Sequence, residues 1–514
     1  MARPIGLAIA ILLCYLLYHL VLRPALFSPL SKLPAAHPTS GFLPTWMWWQ
    51  RRHGRESRAI YAAHQRRGPI VRLAPNEVSV ASLDGLRKIY GSGRDFSRTD
   101  WFLSFRNYGG RPNLVTIFGA HEHATRKRML SQLYSKSHLL ASPDFQGAAQ
   151  VLVFKRLMPV LDGATRTGEG VDVFALGCAA AAEVMSMYEL GTGNGLDLVR
   201  QGREEERKRY LENVKRKLKN LKGANRAAKE LEDQFFELCE KAEHLLRRVT
   251  PGHEEGKDNG HKEKELSESH AHEDSKSLTT YPVIFAQLYD SIPTKEGVTD
   301  RLEILYLAAS ELLDSIEAAR EGIGISLTYA MHQLSQRPAL QSTLRDELMK
   351  LTPPLKYPPS QEALSTSTLR QLDSLALLDS IVMETLRVHA PEPGPQRRLV
   401  PEGGVVVEGH FIPAGVTIHS SPYSLHRYEG VYPDANVWRP ERWMEIRGSK
   451  DSGEGGKGKA EDDPRRWFWT FGSGGKMCIG SNFSFLGKFC LVFLWPPYLP
   501  NSRRLRLTPE WLQF

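Results

Sequence analysis

The sequence predicts a mainly helical globule with a small β region, held behind one N-terminal transmembrane helix. Three observations carry this. Residues 5–22, IGLAIAILLCYLLYHLVL, contain no Asp, Glu, Lys or Arg. Residues 303–336 run without proline, place Leu312, Ile316, Ala319, Ile323, Leu327 and Leu334 on one stripe of 3.6-residue period, and meet a stop signal at Pro338. Strand-like patterning is confined to 70–82 (IVRLAPNEVSVAS) and 397–420 (RRLVPEGGVVVEGHFIPAGVTIHS), the latter with turn signals at Gly403-Gly404 and Pro413-Ala-Gly415.

Taken in order, the apolar span 5–22 is roughly 27 Å long as a helix, close to the thickness of a hydrocarbon core. A cleaved signal peptide has a shorter apolar region of about 7–15 residues and a small-residue cleavage site, and neither is seen. Arg3 precedes the span, and Arg23, Lys32, Arg51 and Arg52 follow it, so the positive-inside bias puts the main body in the cytosol. A proline-rich linker, 23–45, contains SPLSKLPAAHP (28–38) and reads as a stiff spacer just off the membrane. From 46 to 514 there is no clear domain break and no internal repeat. Residues 203–247 are helical in pattern and densely charged. Two stretches lack core-forming side chains: 252–277 has Leu266 as its one aliphatic residue larger than alanine, and 447–466 has none. Both are expected to be disordered surface insertions. His253, His261, His270 and His272 lie in the first of them, where no scaffold orients them toward a metal.

The chain has 514 residues, a net charge of +9 and 41% hydrophobic residues. The charge suits an anionic membrane surface or an acidic partner. No nucleic-acid motif accompanies it, so nucleic acid is not an expected partner. Five cysteines, Cys14, Cys178, Cys239, Cys478 and Cys490, form no disulfide framework and indicate a reducing compartment. Cys478 sits alone in FGSGGKMCIG (471–480), without the C-x-x-C spacing of a zinc site. A lone thiolate in a glycine-rich loop makes sense as an axial ligand to haem iron, where it pushes electron density onto the metal. Glycines let backbone approach the porphyrin face and aim amide N–H groups at the sulfur.

F471-x-x-G474-x-K476-x-C478-x-G480 resembles the haem-ligand loop of the cytochrome P450 monooxygenases, F-x-x-G-x-R-x-C-x-G. Three further matches occur in family order. Glu384-Thr-Leu-Arg387 resembles the E-x-x-R motif, Pro440-Glu-Arg442-Trp443 resembles the P-E-R-F/W segment, and HATRKRMLSQLYS (123–135) resembles the helix in which a His or Trp precedes an Arg by four residues. PAGVTIHSSPYSLHR (413–427) is similar to membrane-bound fungal members, and the resemblance spans about residues 28–486. It implies haem b ligated by Cys478, with His123, Lys127, Arg398 and Lys476 meeting the haem propionates. Glu384, Arg387 and Arg442 would form a structural triad. It also implies O2, a hydrophobic small-molecule substrate, electrons from NADPH through a separate flavoprotein reductase, contact with membrane lipid, and a single-pass location in the endoplasmic reticulum membrane with the catalytic domain cytosolic.

The chain departs from the pattern in three places. Lys127 and Lys476 stand where the family usually has Arg, which keeps the charge but loses the bidentate fork. AAREG (318–322) aligns with A/G-G-x-D/E-T: the acid remains as Glu321, the implied catalytic residue, but Gly322 replaces the threonine that orients water for proton delivery. Glu321, ordered water, Ser326 or a substrate hydroxyl would then serve. Only 36 residues follow Cys478, and PPYLP (496–500) stops the helix after it, so the C-terminus beyond 487 is short and atypical. The expected activity is haem-dependent insertion of one oxygen atom into a hydrophobic small molecule in fungal secondary metabolism. The alternatives are a haem-thiolate isomerase or dehydratase acting on an oxygenated substrate, and a C-terminally truncated, non-catalytic haem-binding remnant.

Overall fold

In the computed structural model, residues 2–91, 96–168, 170–220, 222–249, 281–353, 364–451 and 463–487 are described. The chain divides into two compact units: residues 1–104, 118–123 and 383–478, and residues 105–117, 124–382 and 479–514. Helices dominate, and the strands fall in the two regions that the sequence marks, apart from one short strand at Ser97–Arg98.

The first unit begins with the helix Ala2–Leu17, which continues as wider-wound turns through Tyr18–Phe27. Ile5, Leu12, Leu13 and Leu17 on it are exposed. The proline-rich segment behind it does not stand away from the globule. Leu30 and Leu33 are buried in the core, and Arg72 and Pro34 share a backbone hydrogen bond of 2.9 Å. The reason is composition: two leucines between prolines give a preset turn with an apolar face to bury.

Seven short strands follow: β1 (Ile70–Ala74), β2 (Glu77–Val80), β3 (Ser97–Arg98), β4 (Arg398–Leu399), β5 (Val405–Val407), β6 (His410–Ile412) and β7 (Thr417–His419). One sheet has the order β1-β2-β7-β4-β3, antiparallel except for β2 beside β7. β5 and β6 form a separate hairpin closed by Glu408 and Gly409, at φ +50° and +75°. Positive φ at both central residues is what a tight two-residue hairpin turn requires.

Buried charge organises the C-terminal part of this unit. Glu384 and Arg387 lie three residues apart on the helix Ala376–Val388, hence on one face. Both are fully buried, and Arg442 is nearly so. Arg387 donates from Nε and Nη2 to the two Glu384 oxygens at 2.9 and 2.8 Å, and Arg442 Nε donates at 3.0 Å. The Trp443 indole and the Arg439 amide complete the carboxylate's shell, each at 2.9 Å. Arg387 Nη1 donates to the carbonyls of His426 and Ala435 at 2.6 and 2.7 Å. Burial, reinforced by the Arg387 charge, pushes the His426 pKa down to about 3. The neutral ring donates from Nδ1 to the Arg387 carbonyl (3.0 Å) and accepts at Nε2 from the Trp469 amide (2.8 Å).

The second unit is built on α1 (Val173–Leu190), α2 (Glu204–Leu218), α3 (Ala224–Val249) and α4 (Arg301–Ser335). α1 is long and apolar enough to cross a membrane, yet it is buried as a core helix. The charged stretch 203–247, helical in pattern, forms two helices. Asn220 and Gly223, at φ +47° and +84°, leave the right-handed helical region and end the run. α4 starts at Asp300, whose side chain accepts from the Glu303 amide at 2.8 Å. It packs on α1 at a glycine: a Cβ on Gly324 would sit 2.6 Å from Cys178 Sγ and 2.7 Å from Cys178 Cα. A Cβ on Gly322, two residues earlier, would meet nothing within 4 Å.

The expected insertion at 252–277 and the chain beyond 487 lie outside the described residues. So do residues 452–462 of the second insertion, whose ends belong to the helices Glu441–Asp451 and Pro464–Trp467.

Two stability tests follow from this packing. Gly324→Val should destabilise the protein by about 1–3 kcal/mol through overpacking against α1, whereas Gly322→Ala should be neutral or stabilise by up to about 1 kcal/mol. Urea midpoints of the two variants decide it, and equal midpoints would refute the close crossing. Glu384→Gln removes the anion between two buried guanidinium groups and should cost about 3–5 kcal/mol. A loss under about 1 kcal/mol, read from the same unfolding curves, would show that the cations are compensated elsewhere.

Candidate functional site

The loop that carries Cys478 is closed by its own backbone. The Cys478 amide donates to the Phe471 carbonyl at 2.9 Å, and the Met477 amide to the Gly474 carbonyl at 3.1 Å. Gly474 has φ +68°, and a Cβ there would lie 1.8 Å from the Tyr90 carbonyl oxygen, so only glycine fits. The Cys478 side chain is exposed, whereas Cys178 and Cys239 are buried. Lys476 reaches back from the loop, with Nζ 3.5 Å from the Phe96 carbonyl and 3.4 Å from the Phe118 carbonyl. Phe96 leads into β3, and Phe118 lies just before the helix Ala120–Leu130, which carries His123.

β3 and β4 bring a second pair of cations together. Arg98 stands directly opposite Arg398 in the ladder, and both are buried. Like charges opposite each other destabilise a strand pair. Each guanidinium lies over the Phe102 ring, at 5.3 Å for Arg98 and 5.7 Å for Arg398. Arg398 also lies 5.1 Å over Tyr90 and donates to the Arg397 carbonyl at 2.8 Å. Among the described residues it has no carboxylate partner, and burial lowers its pKa. Sequence reading singled out Arg398 but missed Arg98. The signal was an arginine in DFSRTD, and its meaning depends on a two-residue strand pairing that no pattern reveals.

Of the expected propionate partners, the first unit holds Lys476, Arg398 and the buried His123. Lys127 lies one turn beyond His123 on the same helix and belongs to the second unit. Its neighbour Arg126, also missed, is engaged elsewhere: it donates to both Glu296 oxygens at 2.6 Å and to Glu311 at 3.1 Å. The triad Glu384, Arg387 and Arg442 is brought together as described above.

In the second unit, Glu321 lies on α4 with Arg320 Nη2 3.7 Å from its carboxylate. Arg320 Nε contacts Glu317 at 3.1 Å, and the Tyr210 hydroxyl donates to Glu317 Oε1 at 2.6 Å. Burial raises the Glu321 pKa; Arg320 opposes this and Glu317 adds to it. The Ser326 hydroxyl donates to the Gly322 carbonyl at 2.7 Å, and Thr328 donates to the Gly324 carbonyl at 2.8 Å.

These residues suit an anionic, iron-bearing porphyrin. The chain offers an exposed thiol on a glycine-closed loop, and a buried arginine, Arg398, with no carboxylate partner among the described residues.

The comparisons with known proteins agree. The family model described as Cytochrome P450 matches residues 37–489. Cytochrome P450 monooxygenase avaI of Aspergillus versicolor is 25% identical over 85% of this chain and 96% of its own length. Cytochrome P450 monooxygenase BOT1 of Botryotinia fuckeliana is 24% identical over 95% of this chain and 88% of its own. Cytochrome P450 monooxygenase cicH of Emericella nidulans is 26% identical over 84% and 80%. The chain belongs to the cytochrome P450 family, whose monooxygenases use haem b, dioxygen and electrons from a redox partner.

Proposed function

We propose that this monooxygenase inserts one atom of dioxygen into a hydrophobic small molecule of fungal secondary metabolism, with Cys478 as the thiolate ligand of the haem iron. The observation that carries the assignment is the exposed Cys478 on a loop whose Gly474 admits no side chain. When bound, haem supplies the redox-active iron at which dioxygen is cleaved. Arg98, Arg398, His123 and Lys476 would hold its carboxylates, with Lys127 assigned to them by resemblance, and the Glu384–Arg387–Arg442 cluster fixes the backbone from which the loop springs. Glu321 is the acid that passes protons toward the reacting oxygen. Its pKa is raised, by partial burial first and by Glu317 as well, the direction that suits a proton donor.

NADPH is the electron source, through a separate flavoprotein reductase. The exposed apolar helix Ala2–Leu17, continuing to Phe27, anchors the protein once in the endoplasmic reticulum membrane and touches lipid. A second reading, isomerase or dehydratase chemistry on an already oxygenated substrate, is favoured by one observation: Gly322 has no hydroxyl and Ser326 turns its own onto the backbone. Product formation that requires NADPH and reductase excludes this reading.

Cys478→Ala should abolish the reduced-CO absorption band near about 450 nm that marks thiolate ligation. A variant that keeps the band has another ligand, and the assignment falls. Removal of residues 2–27 should move the protein from the carbonate-resistant membrane fraction into the supernatant. Retention in the pellet would show that a different surface inserts.

A further inference from the structure

β4 is only two residues long, and the arginine just before it, Arg397, is held by acids from a distant part of the sequence. Its Nη2 meets Glu56 Oε1, and its Nε lies 3.7 Å from Glu77 Oε1. Glu56 opens the helix Glu56–Arg67, and Glu77 opens β2. Arg51, in the last turn of the helix Thr45–Arg52, bridges the same two oxygens: its Nε donates to Glu56 Oε1 at 2.7 Å, and its Nη2 meets Glu77 Oε1. Exposed ion pairs carry little weight, but the Arg397, Glu56 and Glu77 side chains are only 15%, 20% and 10% exposed.

The cluster is balanced in charge. Burial would raise the Glu77 pKa, but His419, Arg51 and Arg397 outweigh it and lower it to about 2, so Glu77 is ionised. His419 is buried with Nε2 3.3 Å from Glu77 Oε1, and burial lowers its own pKa, so the ring is neutral. Two carboxylates therefore face two guanidinium groups, and neither is left over for the next arginine along the chain. Arg398 turns the other way, over the Tyr90 and Phe102 rings, as successive side chains of an extended chain do. Its guanidinium is tied to the main chain: Nη1 donates to the carbonyl of Arg397 itself at 2.8 Å. The ladder to β7 pairs Arg398 and Leu399 and stops short of residue 397.

We propose that Arg397 is a positioning residue for haem binding: gripped by Glu56 and Glu77 on one side of the chain, it fixes the carbonyl that aims the Arg398 guanidinium on the other. The proposal rests on the reading of Arg398 as a partner of the haem carboxylates. Arg397 touches no ligand. Its effect is to set Arg398 in advance, so that fewer side-chain rotations are frozen when an anion binds. Arg51 shares the same two acids, but it is Arg397 whose main chain Arg398 reads. That difference separates positioning from plain stability.

The test uses the full-length holoenzyme. Haem release to excess apomyoglobin and the reduction potential of the iron are measured beside urea midpoints. Arg397→Gln should release haem about tenfold faster. Its potential should fall, because a cation no longer held beside the haem carboxylates favours the ferrous state less. The double variant Glu56→Gln with Glu77→Gln keeps Arg397 but lets it go, and should behave in the same way. Arg51→Gln breaks the same cluster and should lower the urea midpoint while leaving release and potential unaltered. Equal acceleration in Arg51→Gln and Arg397→Gln overturns the proposal, since the cluster then acts through stability alone. Unaltered release from Arg397→Gln, where Arg398→Gln releases faster, also overturns it. Unaltered release from Arg398→Gln overturns instead the reading of Arg398.

Discussion

The first unit depends on one carboxylate. Glu384 is fully buried, and its carboxylate accepts from two arginine side chains and two further N–H donors. Such a cluster is not simply stabilising. Desolvating three charges costs several kcal/mol per ion, and attraction offsets it only when the geometry is nearly ideal and every remaining donor is satisfied. Here the surplus donors of Arg387 reach the His426 and Ala435 carbonyls, and Arg442 reaches the Pro433 carbonyl at 3.0 Å. The cluster therefore acts as a geometric lock. It pins a helix to the 433–443 segment, and through neutral His426 to Trp469, two residues before the loop that carries Cys478. Protonation or truncation at any point would free several of these segments at once.

The same unit contains the opposite arrangement at Arg98 and Arg398. There two buried cations share an aromatic floor and a strand register. Their rings offset part of the desolvation cost, since a guanidinium over an aromatic face gains about 0.5–2 kcal/mol. The contrast is between a carboxylate saturated by donors at one end and, at the other, two buried arginines brought side by side by a strand register.

What the sequence made legible follows from the range of the interactions involved. Cys478, Gly474 and Lys476 lie within one loop, and Glu384 and Arg387 within one helical turn, so spacing alone places them. Arg442 and Arg398 were placed by the family resemblance. Arg98 was missed because its meaning comes from a partner 300 positions away across two short strands. The docking of Leu30 and Leu33 was missed for the opposite reason: prolines signal stiffness but not whether the stiff segment finds a core. The break at Asn220 and Gly223 lies inside a charged run whose helical pattern gave no boundary. Tyr210 fell inside that same charged run, and its inward hydroxyl appears only once α2 is laid against α4.

Two glycines on α4 show how differently the same residue can be required. Gly324 is dictated by packing, because α1 passes within Cβ distance and any side chain would push the helices apart. Gly322 is not. Space is open around it, and glycine inside a helix is about 1 kcal/mol less favourable than alanine. Nothing steric therefore excludes threonine, the residue the family places there. The loss of the hydroxyl is a change in chemistry at a site where the fold permits the original group.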